Sequence, residues 1–460
     1  MSQVQSSILF DGRVASCKLK VLIIGGGIAG MAAAFCLGKA GHDITVFETV
    51  STVVEVGAGI QIGPNMSRLL MRWGLADQLK QQGVKPLSLS FRRYCTGERV
   101  GYSFFGAAME FEHGAPYYHL HRADLHRMLA EIAAPYMNLR HGSKVVSVDP
   151  KVVSVTLASG EIISGDLILG ADGVKSTTRR NIFGDLDDRL PTGDAVYRAI
   201  IPTADLMNDP LLESLVLVPE VTCWMGPGKH VVGYCLRAKK EYNLVLICPD
   251  NFKSLNSESW TARGDPDEMR ALFQGWEPRI EKLVKLIKTM TTGQLVIRKP
   301  LATCLASTKR VALIGDACHP MLPYRAQGSA MATEDAAVLG NLFSRISHKN
   351  QIPQLLEAYE EIRMQRTRFT QEASWANREI FHLPDGAAQE ARDNTMRLAM
   401  CETLDGGQMG NNLNGHRGNA NMWADREKNF EQFSYDPDEA VNRWWRGKNS
   451  LSLHRQFAKM

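Results

Sequence analysis

The strongest hydrophobic pattern near the start of the chain lies between residues 20 and 48. The apolar run Lys20–Ile24 predicts a short buried strand, a block of glycines follows, and the apolar residues up to about Ala40 predict a helix. Gly41 is placed to end that helix, and Asp43–Glu48 predicts a second strand. A strand, a helix and a strand in this order predict the βαβ unit that begins a parallel sheet.

Further along the chain the pattern changes twice. Buried strands are predicted again at Glu161–Leu169 and at Val311–Ile314, and each is followed by a glycine turn. From about residue 192 to 298, short runs such as Leu215–Val218 and Val231–Leu236 are strand-like and are joined by Pro and Gly turns. This middle region therefore predicts a second, strand-rich domain that is inserted into the first.

Composition narrows the class of protein. The chain has 460 residues, of which 44% are hydrophobic and 22% charged, which is ordinary for a soluble protein with two or three packed units. The 53 Lys and Arg against 49 Asp and Glu leave a formal charge of +4, too small to predict nucleic-acid binding. Nine cysteines without a CxxC pair predict reduced thiols and a cytoplasmic location rather than a disulfide framework or a metal finger.

The glycine block after the first strand carries candidate chemistry. Gly25, Gly27 and Gly30 form a GxGxxG turn, in which Gly25 permits the tight turn, Gly27 lets the backbone approach a pyrophosphate and Gly30 allows close helix packing. These glycines would weaken a membrane-spanning helix, so we expect no span here. Glu48 is placed to accept hydrogen bonds from ribose hydroxyls and would repel a 2′-phosphate, so the pocket predicts FAD or NAD.

Two distant segments favour FAD over NAD. In GADGVKS a strand leads to Asp172 and then to a helix that is predicted to start near Ser176. In LIGDACHP a strand delivers Asp316, whose carboxylate is placed to accept hydrogen bonds from sugar-alcohol hydroxyls. The small-residue helix that is predicted from Gly328 would point its positive end at the negative charge of a reduced flavin. We therefore predict Asp172, Asp316 and Gly328 as FAD contacts.

The three segments, in this order, resemble those of the group A flavoprotein monooxygenases, which include para-hydroxybenzoate hydroxylase and salicylate hydroxylase. The resemblance spans about Leu19 to Leu342. A closer resemblance is to fungal enzymes that hydroxylate and dearomatise polyketide phenols in azaphilone, tropolone and sorbicillinoid pathways, and it is carried by Tyr197–Ala199, His230–Tyr234 and Pro323–Gly328. It implies an α/β fold with a Rossmann-like FAD-binding domain, an inserted β-sheet substrate domain and a helical C-terminal region.

The resemblance also implies roles for residues outside the glycine turn. Arg122, in HRADL, and Gly59, in the loop Gly57–Gln61, are expected to contact the flavin. Arg198 and Tyr234 match the pair that holds the substrate phenolate, so they are the predicted catalytic residues.

The segment Pro323–Gly328 departs from many members of the group, which lack an arginine at the position of Arg325 and carry glycine at that of Ala326. Arg325 would either narrow the site or add an anion contact, and we predict Arg325 and Pro323 as substrate contacts. His319 is expected to lie near the flavin without acting as a general base.

A reaction follows from the resemblance. FAD is expected to be tightly bound, NADPH or NADH binds transiently and reduces it, and O2 gives a C4a-hydroperoxyflavin that hydroxylates a phenol. Hydroxylation at an alkylated ring carbon would leave a dearomatised dienone. Three alternatives stay open: an ordinary or decarboxylating hydroxylase of the salicylate type, another flavin oxidoreductase or epoxidase, and a flavin-binding protein without catalysis.

The predicted units are a flexible leader at 1–17, the FAD-binding domain at 18–190 with substrate-domain strands near 87–118, the substrate domain at 191–299, the return of the FAD-binding domain at 300–375 and the helical region at 376–460. The expected partners are a small phenol and O2, and a homodimer is left open. The His119–His121 pair has no partner carboxylate motif, so no metal site is predicted. Trp444 and Trp445 are expected to dock the C-terminal tail.

Overall fold

The computed structural model describes residues 8–51, 58–184, 189–250, 262–405 and 416–457, with backbone alone at 189 and 449–457. The strands are β1 (Lys20–Ile24), β2 (Asp43–Phe47), β3 (Gly59–Ile62), β4 (Ser88–Arg93), β5 (Arg99–Phe104), β6 (Tyr118–His121), β7 (Met137–Arg140), β8 (Val145–Asp149), β9 (Ser154–Leu157), β10 (Ile162–Ser164), β11 (Leu167–Gly170), β12 (Arg189–Pro202), β13 (Glu220–Gly226), β14 (Lys229–Leu236), β15 (Glu241–Pro249), β16 (Ala262–Arg263), β17 (Thr291–Arg298) and β18 (Val311–Leu313). The helices are α1 (Ile28–Lys39), α2 (Pro64–Leu70), α3 (Ala76–Gln82), α4 (Ala107–His113), α5 (Arg122–Ala133), α6 (Thr177–Phe183), α7 (Thr203–Met207), α8 (Ser214–Leu217), α9 (Pro266–Leu272), α10 (Pro278–Leu286), α11 (Gly328–Phe343), α12 (Ile352–Phe381), α13 (Ala387–Asp405), α14 (Arg426–Phe433) and α15 (Pro437–Phe457).

The first domain is built on a five-stranded parallel sheet in the order β18-β11-β1-β2-β7. Four of the five residues of β1 are fully or almost fully buried, as expected for a parallel strand that is covered on both faces. Helix α1 connects β1 to β2, and α11 packs along α1. The predicted βαβ start and the α/β class are confirmed.

The second sheet has eight strands in the order β16-β17-β12-β15-β14-β13-β4-β5. One face packs against α9 and α10 through residues such as Phe273 and Ile280. The opposite face, which we call the inner face, packs against the loop around Leu322 and against C-terminal residues such as Phe381 and Phe433. The inner face of this sheet therefore looks toward the first domain and the C-terminal helices.

The C-terminal helices close over both domains, which confirms the predicted helical region. Helix α12 runs for 30 residues and packs on α11, while α13 covers the edge strand β5. Helix α14 contacts α2, and α15 contacts α11 and α12. No helix of the described ranges is both long and apolar enough to cross a membrane.

Local predictions failed at two places. Leu215–Val218 was expected to be a strand, but Ser214–Leu217 forms α8, because its buried pair Leu215 and Val216 covers the sheet from one side of a single helical turn. Residues 8–17 of the expected loose leader pack against the first domain: Phe10 is 5% exposed, and the Ala15 amide donates to the Ala40 carbonyl at 2.9 Å. The remaining leader residues lie outside the described ranges.

Candidate active site

The glycine turn between β1 and α1 has the geometry of a phosphate cradle. Gly25 adopts φ = +104°, and a side chain there would lie 2.4 Å from the Ala171 carbonyl oxygen. A Cβ atom on Gly30 would lie 1.9 Å from the Gly25 oxygen, so the helix can begin this close to the strand only with glycine. At Gly27, in contrast, a Cβ atom would meet no atom within 4 Å. The turn therefore opens at Gly27, beside the positive end of α1, where a pyrophosphate fits.

Glu48 follows β2 and ties its end to the glycine turn. Its Oε2 accepts a hydrogen bond from the Gly26 amide at 2.8 Å, and its Oε1 accepts one from the Val50 amide at 2.9 Å. Each carboxylate oxygen keeps a second acceptor site. Glu48 therefore shapes the turn and lies beside it, and its contact with a ribose stays a prediction.

The side chain of Asp172 makes hydrogen bonds within its own loop. Its carboxylate accepts hydrogen bonds from the Ser176 hydroxyl at 2.6 Å and from the Thr178 amide at 2.9 Å, at the start of α6. Arg179, on α6, then donates to the Ala317 and Cys318 carbonyl oxygens at 3.2 and 3.0 Å. Asp172 thus orders the turn that joins the second and third motif segments, and its direct contact with FAD stays a prediction.

The third segment places Asp316 in the wall of an internal cleft. Its side chain is exposed, although surrounding protein atoms are dense enough that burial raises the pKa of its carboxyl, against the opposing charges of His319 and Arg122. A side chain that is both accessible and deep faces a cavity rather than the outer surface. Helix α11 begins at Gly328, on the same loop, so a carboxylate and a positive helix end both border this cleft.

His319 is anchored and charged. Its Nε2 lies 2.7 Å from Oδ2 of Asp335, which also accepts from the Gly315 amide at 3.0 Å. Burial lowers the pKa of His319, but the charge and hydrogen bond of Asp335 outweigh burial and raise it to about 9. A histidine that is protonated at neutral pH cannot accept a proton, and the prediction that His319 is not a general base stays a prediction.

The two predicted catalytic residues lie on the inner face of the eight-stranded sheet. Arg198 pairs with Val245 across β12 and β15, and Val245 pairs with Val232 on β14. Residues paired across strands share a face, and Tyr234 is two positions beyond Val232 on the same face. Arg198 is half-buried, and burial, followed by the charge of Arg122, lowers its pKa to about 10.

Arg122 is close to residues of both the predicted substrate site and the predicted flavin site. It is the first residue of α5, it is exposed, and its amide donates to the Ala58 carbonyl at 2.9 Å. Its charge lowers the pKa of both Arg198 and Asp316. Arg122 is therefore near both the predicted substrate cation and Asp316 of the third motif.

Tyr234 is 3% exposed and is held from several sides. A Cβ atom on Gly59 would lie 2.7 Å from the Tyr234 hydroxyl, so this position of β3 contacts the ring directly. The Gly59 amide donates to Oδ1 of Asn243 at 2.8 Å, and the His119 ring lies 4.4 Å from the Tyr234 ring. Burial raises the pKa of Tyr234, while the charge of Arg198 and a hydrogen bond with Gln61 oppose that rise.

A second buried tyrosine extends this cluster. The Tyr117 hydroxyl donates to Oε1 of Gln61 at 2.9 Å, so Gln61 contacts both Tyr117 and Tyr234. The charge of Arg325 opposes the rise in the Tyr117 pKa that burial produces. Arg325 is therefore near Tyr117, as Arg198 is near Tyr234, and the two tyrosines share one glutamine.

Arg325 and Pro323 belong to one short turn before α11. Pro323 is exposed and Arg325 is 2% exposed. The Arg325 guanidinium lies over the Trp423 ring, 5.0 Å from its centroid. Ala326 has φ = +53°, a left-handed conformation, which explains why glycine suits this position in similar sequences.

Sequence reasoning missed Tyr117, Asn243 and Trp423. Tyr117 and Asn243 each lie within a continuous run of buried residues, so nothing in the local pattern separates them from packing residues. Trp423 lies in the Asn/Gly-rich stretch, far from every motif. A hydrogen bond across strands, or a tertiary stack, is what identifies each of them.

Residues 18–374 match the family described as "FAD binding domain". Among similar proteins, the chain is 40% identical over 383 residues to the "FAD-dependent monooxygenase OpS4" of Beauveria bassiana (strain ARSEF 2860), covering 82% of this chain and 89% of that protein. It is 35% identical over 398 residues to the "3-amino-4-hydroxybenzoate 2-monooxygenase PtmB3" of Streptomyces platensis, covering 85% and 95%.

The fold also matches solved structures. A crystal structure of CtdE in complex with FAD and substrate superposes with a TM-score of 0.77 at 20% identity, covering 95% of this chain and all of that one. These matches confirm the predicted resemblance, the fold class and FAD as the cofactor. They leave the individual site residues and the domain bounds as predictions.

Proposed function

This chain belongs to the FAD binding domain family, and from that premise we propose that it is a FAD-dependent monooxygenase that uses NADPH or NADH and O2 to hydroxylate a phenolic polyketide. Where the attacked carbon carries an alkyl group, the product is a dearomatised dienone. The observation that carries this proposal is the Arg198–Tyr234 pair, which lies on the sheet face that looks toward the motifs of the FAD-binding domain.

Arg198 and Tyr234 would hold the substrate as its phenolate. A phenolate is more electron-rich than a phenol, and a guanidinium beside it lowers the pKa of the substrate hydroxyl. The Tyr234 hydroxyl stays protonated, because burial raises its pKa, and it therefore donates to the phenolate oxygen. The two donors fix the ring position as well as its charge.

The motif segments would hold the cofactor. The open turn at Gly27 and the positive end of α1 suit the pyrophosphate, and Glu48 suits the adenosine ribose. Asp316 and the α11 N-terminus at Gly328 border the cleft where a flavin would lie, and the proposal adds Arg122 and Gly59 as contacts. When bound, FAD supplies the redox chemistry that activates O2.

Exclusion of water is the remaining task of the protein, because solvent diverts activated oxygen to peroxide. The buried side chains of Tyr117, Tyr234 and Asn243, with the half-buried Val232 and Val245, form a wall with little access to bulk water. Pro323 and Arg325 would close the same site from the turn before α11.

A carboxylated phenol is a candidate substrate within this class. PtmB3, by its name, acts on a hydroxybenzoate. We also propose that the enzyme is cytoplasmic, since all nine cysteines are free thiols. We further propose a homodimer, which light scattering would test.

The test uses the purified FAD-loaded protein and 2,4-dihydroxy-3,6-dimethylbenzaldehyde, a resorcylic aldehyde with a methylated ring carbon between its hydroxyls. We expect the phenol to accelerate NADPH or NADH oxidation, and the product to gain one oxygen atom from ¹⁸O2. Peroxide release without oxygen incorporation would instead identify an oxidase.

Two variants test the residue roles. Arg198→Gln and Tyr234→Phe should retain FAD and lose product formation by about 100-fold or more, since each removes a donor to the phenolate. Arg140→Gln, which removes a half-buried arginine paired with Glu161 at 2.7 Å, is the matched control. Full turnover by Arg198→Gln would contradict the assignment.

A further inference from the structure

Arg325 is a buried cation whose hydrogen-bonding capacity is largely unused by the protein. Its side chain is 2% exposed, yet Nε and Nη1 have no hydrogen-bond partner among the described residues. Its Nη2 makes one long contact, 3.5 Å to Oδ1 of Asn429. A guanidinium carries five N–H donors, so most of them are unsatisfied in the described part of the chain.

The surrounding charges do not neutralise it through contact. The carboxylate of Asp425 is near enough to raise the pKa of Arg325, which burial lowers overall to about 10. However, Asp425 accepts hydrogen bonds from the Gly418 amide at 2.9 Å and from the Lys428 amide at 3.1 Å, and the second of these caps α14. Within the described ranges, Arg325 makes no ion pair with a carboxylate.

Neighbouring groups hold the guanidinium in place. The Trp423 ring stacks on it at 5.0 Å, and the left-handed Ala326 turns the chain away behind it. The preceding Tyr324 is anchored twice, because its hydroxyl donates to Asp194 at 2.6 Å and its carbonyl accepts from Asn377 at 2.9 Å. The side chain is thus positioned without being satisfied.

A buried guanidinium without partners costs several kcal/mol in desolvation, so a protein retains one where a ligand anion supplies the missing partner. Arg325 acts on the Tyr117 pKa and Arg198 on the Tyr234 pKa, and Gln61 contacts both tyrosines, so both arginines lie near this one cluster. A ligand bound along the cluster would therefore lie near both arginines.

We propose that the guanidinium of Arg325 forms a second anion subsite that binds a carboxylate on the substrate ring, so that the preferred substrates are carboxylated phenols. This inference rests on the proposed function, in which Arg198 and Tyr234 hold the phenolate. Arg325 then sets specificity: its planar donor fork binds both carboxylate oxygens, whereas a neutral substituent leaves it unsatisfied.

The test measures binding to the FAD-loaded enzyme through the perturbation of flavin absorbance. The probes are 2,4-dihydroxybenzoate, 2,4-dihydroxybenzaldehyde and resorcinol, which differ only in one ring substituent. For Arg325→Gln we expect the carboxylate to bind about 30-fold more weakly, and resorcinol to change by less than about 3-fold. Arg325→Lys, which keeps the charge, should stay within about 10-fold of wild type for the carboxylate.

Arg417→Gln is the matched control, because Arg417 is exposed in the same C-terminal segment and pairs with Glu427 at 3.1 Å. Arg198→Gln should weaken all three probes, since each carries a phenol. Flavin content and the flavin spectrum of each variant separate loss of the subsite from loss of the fold or of cofactor contact.

Each failure is distinguishable. If wild-type enzyme binds none of the probes, the proposed function and this subsite both fall. If all probes bind but Arg325→Gln weakens them equally or not at all, the subsite alone is wrong. An equal loss for the aldehyde and the carboxylate would overturn the carboxylate assignment, because the subsite would then recognise a carbonyl oxygen.

Discussion

Arg363 and Arg325 are equally inaccessible, with 1% and 2% of each side chain exposed, but their partners differ. Arg363 uses all three nitrogens: Nε donates to Asp335 at 2.8 Å, Nη1 to Glu334 at 2.6 Å and Nη2 to the Met331 carbonyl at 3.2 Å. Arg325 has one contact at 3.5 Å, and the partners of its other nitrogens are absent from the described residues.

The difference separates a structural cation from a binding cation. The charges of Glu334 and Asp335 outweigh burial and raise the pKa of Arg363, whereas burial prevails at Arg325 and lowers its pKa to about 10. Arg363 joins α12 to α11 and, through Asp335, to the loop of His319. The first arginine holds the cofactor loop in place, and the second is arranged for a ligand.

The largest expected effect comes from Arg363→Met. This change removes one of the two cations that pair with each of two buried carboxylates, since Glu334 keeps Arg366 and Asp335 keeps His319. Because the lost pairs are fully buried, we expect the FAD-loaded protein to lose about 4 kcal/mol of its free energy of unfolding. Chemical denaturation measures the loss. Arg368→Met is the control: Arg368 is exposed on the same helix and, among the described residues, donates a hydrogen bond to the Leu301 carbonyl alone, at 3.3 Å. A loss below about 1 kcal/mol would show that Arg363 does not stabilise the fold as proposed.

The pH dependence of stability tests the same network. The pKa of His319 is about 9 in the folded protein and 6.5 ordinarily, so its contribution is fully present below pH 6.5 and is lost as pH rises through 9. That contribution is up to about 3 kcal/mol. His319→Gln should flatten the stability curve between these pH values. His141 is exposed, so His141→Gln should leave the stability curve unchanged. Identical curves for wild type and His319→Gln would contradict a stabilising His319–Asp335 ion pair.

Arg325→Met tests whether Arg325, unlike Arg363, is dispensable for the stability of the fold. Removing a buried cation without partners should leave the substrate-free, FAD-loaded protein as stable as wild type, or more stable by up to about 2 kcal/mol. The identical substitution at Arg363 is its control, measured by the same denaturation experiment. A loss as large as that of Arg363→Met would mean that Arg325 has a structural partner.

The smallest expected effect concerns the turn that presents Arg325. Ala326 has φ = +53°, where a Cβ atom is unfavourable, so Ala326→Gly should stabilise the protein by up to about 1 kcal/mol. Ala330→Gly, inside α11, should do the reverse and cost about 1 kcal/mol or more. Thermal unfolding measures the stability change in both variants. Destabilisation by Ala326→Gly would show that the turn is not strained.

Local chemistry was sufficient to predict the βαβ start and the glycine turn of the first domain. Gly25, Gly27 and Gly30 have roles that depend on a turn of a few residues, and the strands on either side are apolar runs whose period is visible in the sequence. Asp316 and Gly328 likewise follow a buried strand and begin a helix. Short-range spacing specifies such features, because the atoms involved belong to one segment.

The substrate half depended on contacts between distant segments. Tyr117, Gln61 and Tyr234 meet only when β3 and β14 are brought together, and Trp423 reaches Arg325 from a region nearly a hundred residues away. Arg325 and Arg363 are both arginines near helix starts or within helices, so their sequence surroundings do not tell which is satisfied. Only tertiary packing decides whether carboxylates face a buried cation, because those carboxylates lie on other elements. That packing assigns Arg363 to the fold and leaves Arg325 for a ligand.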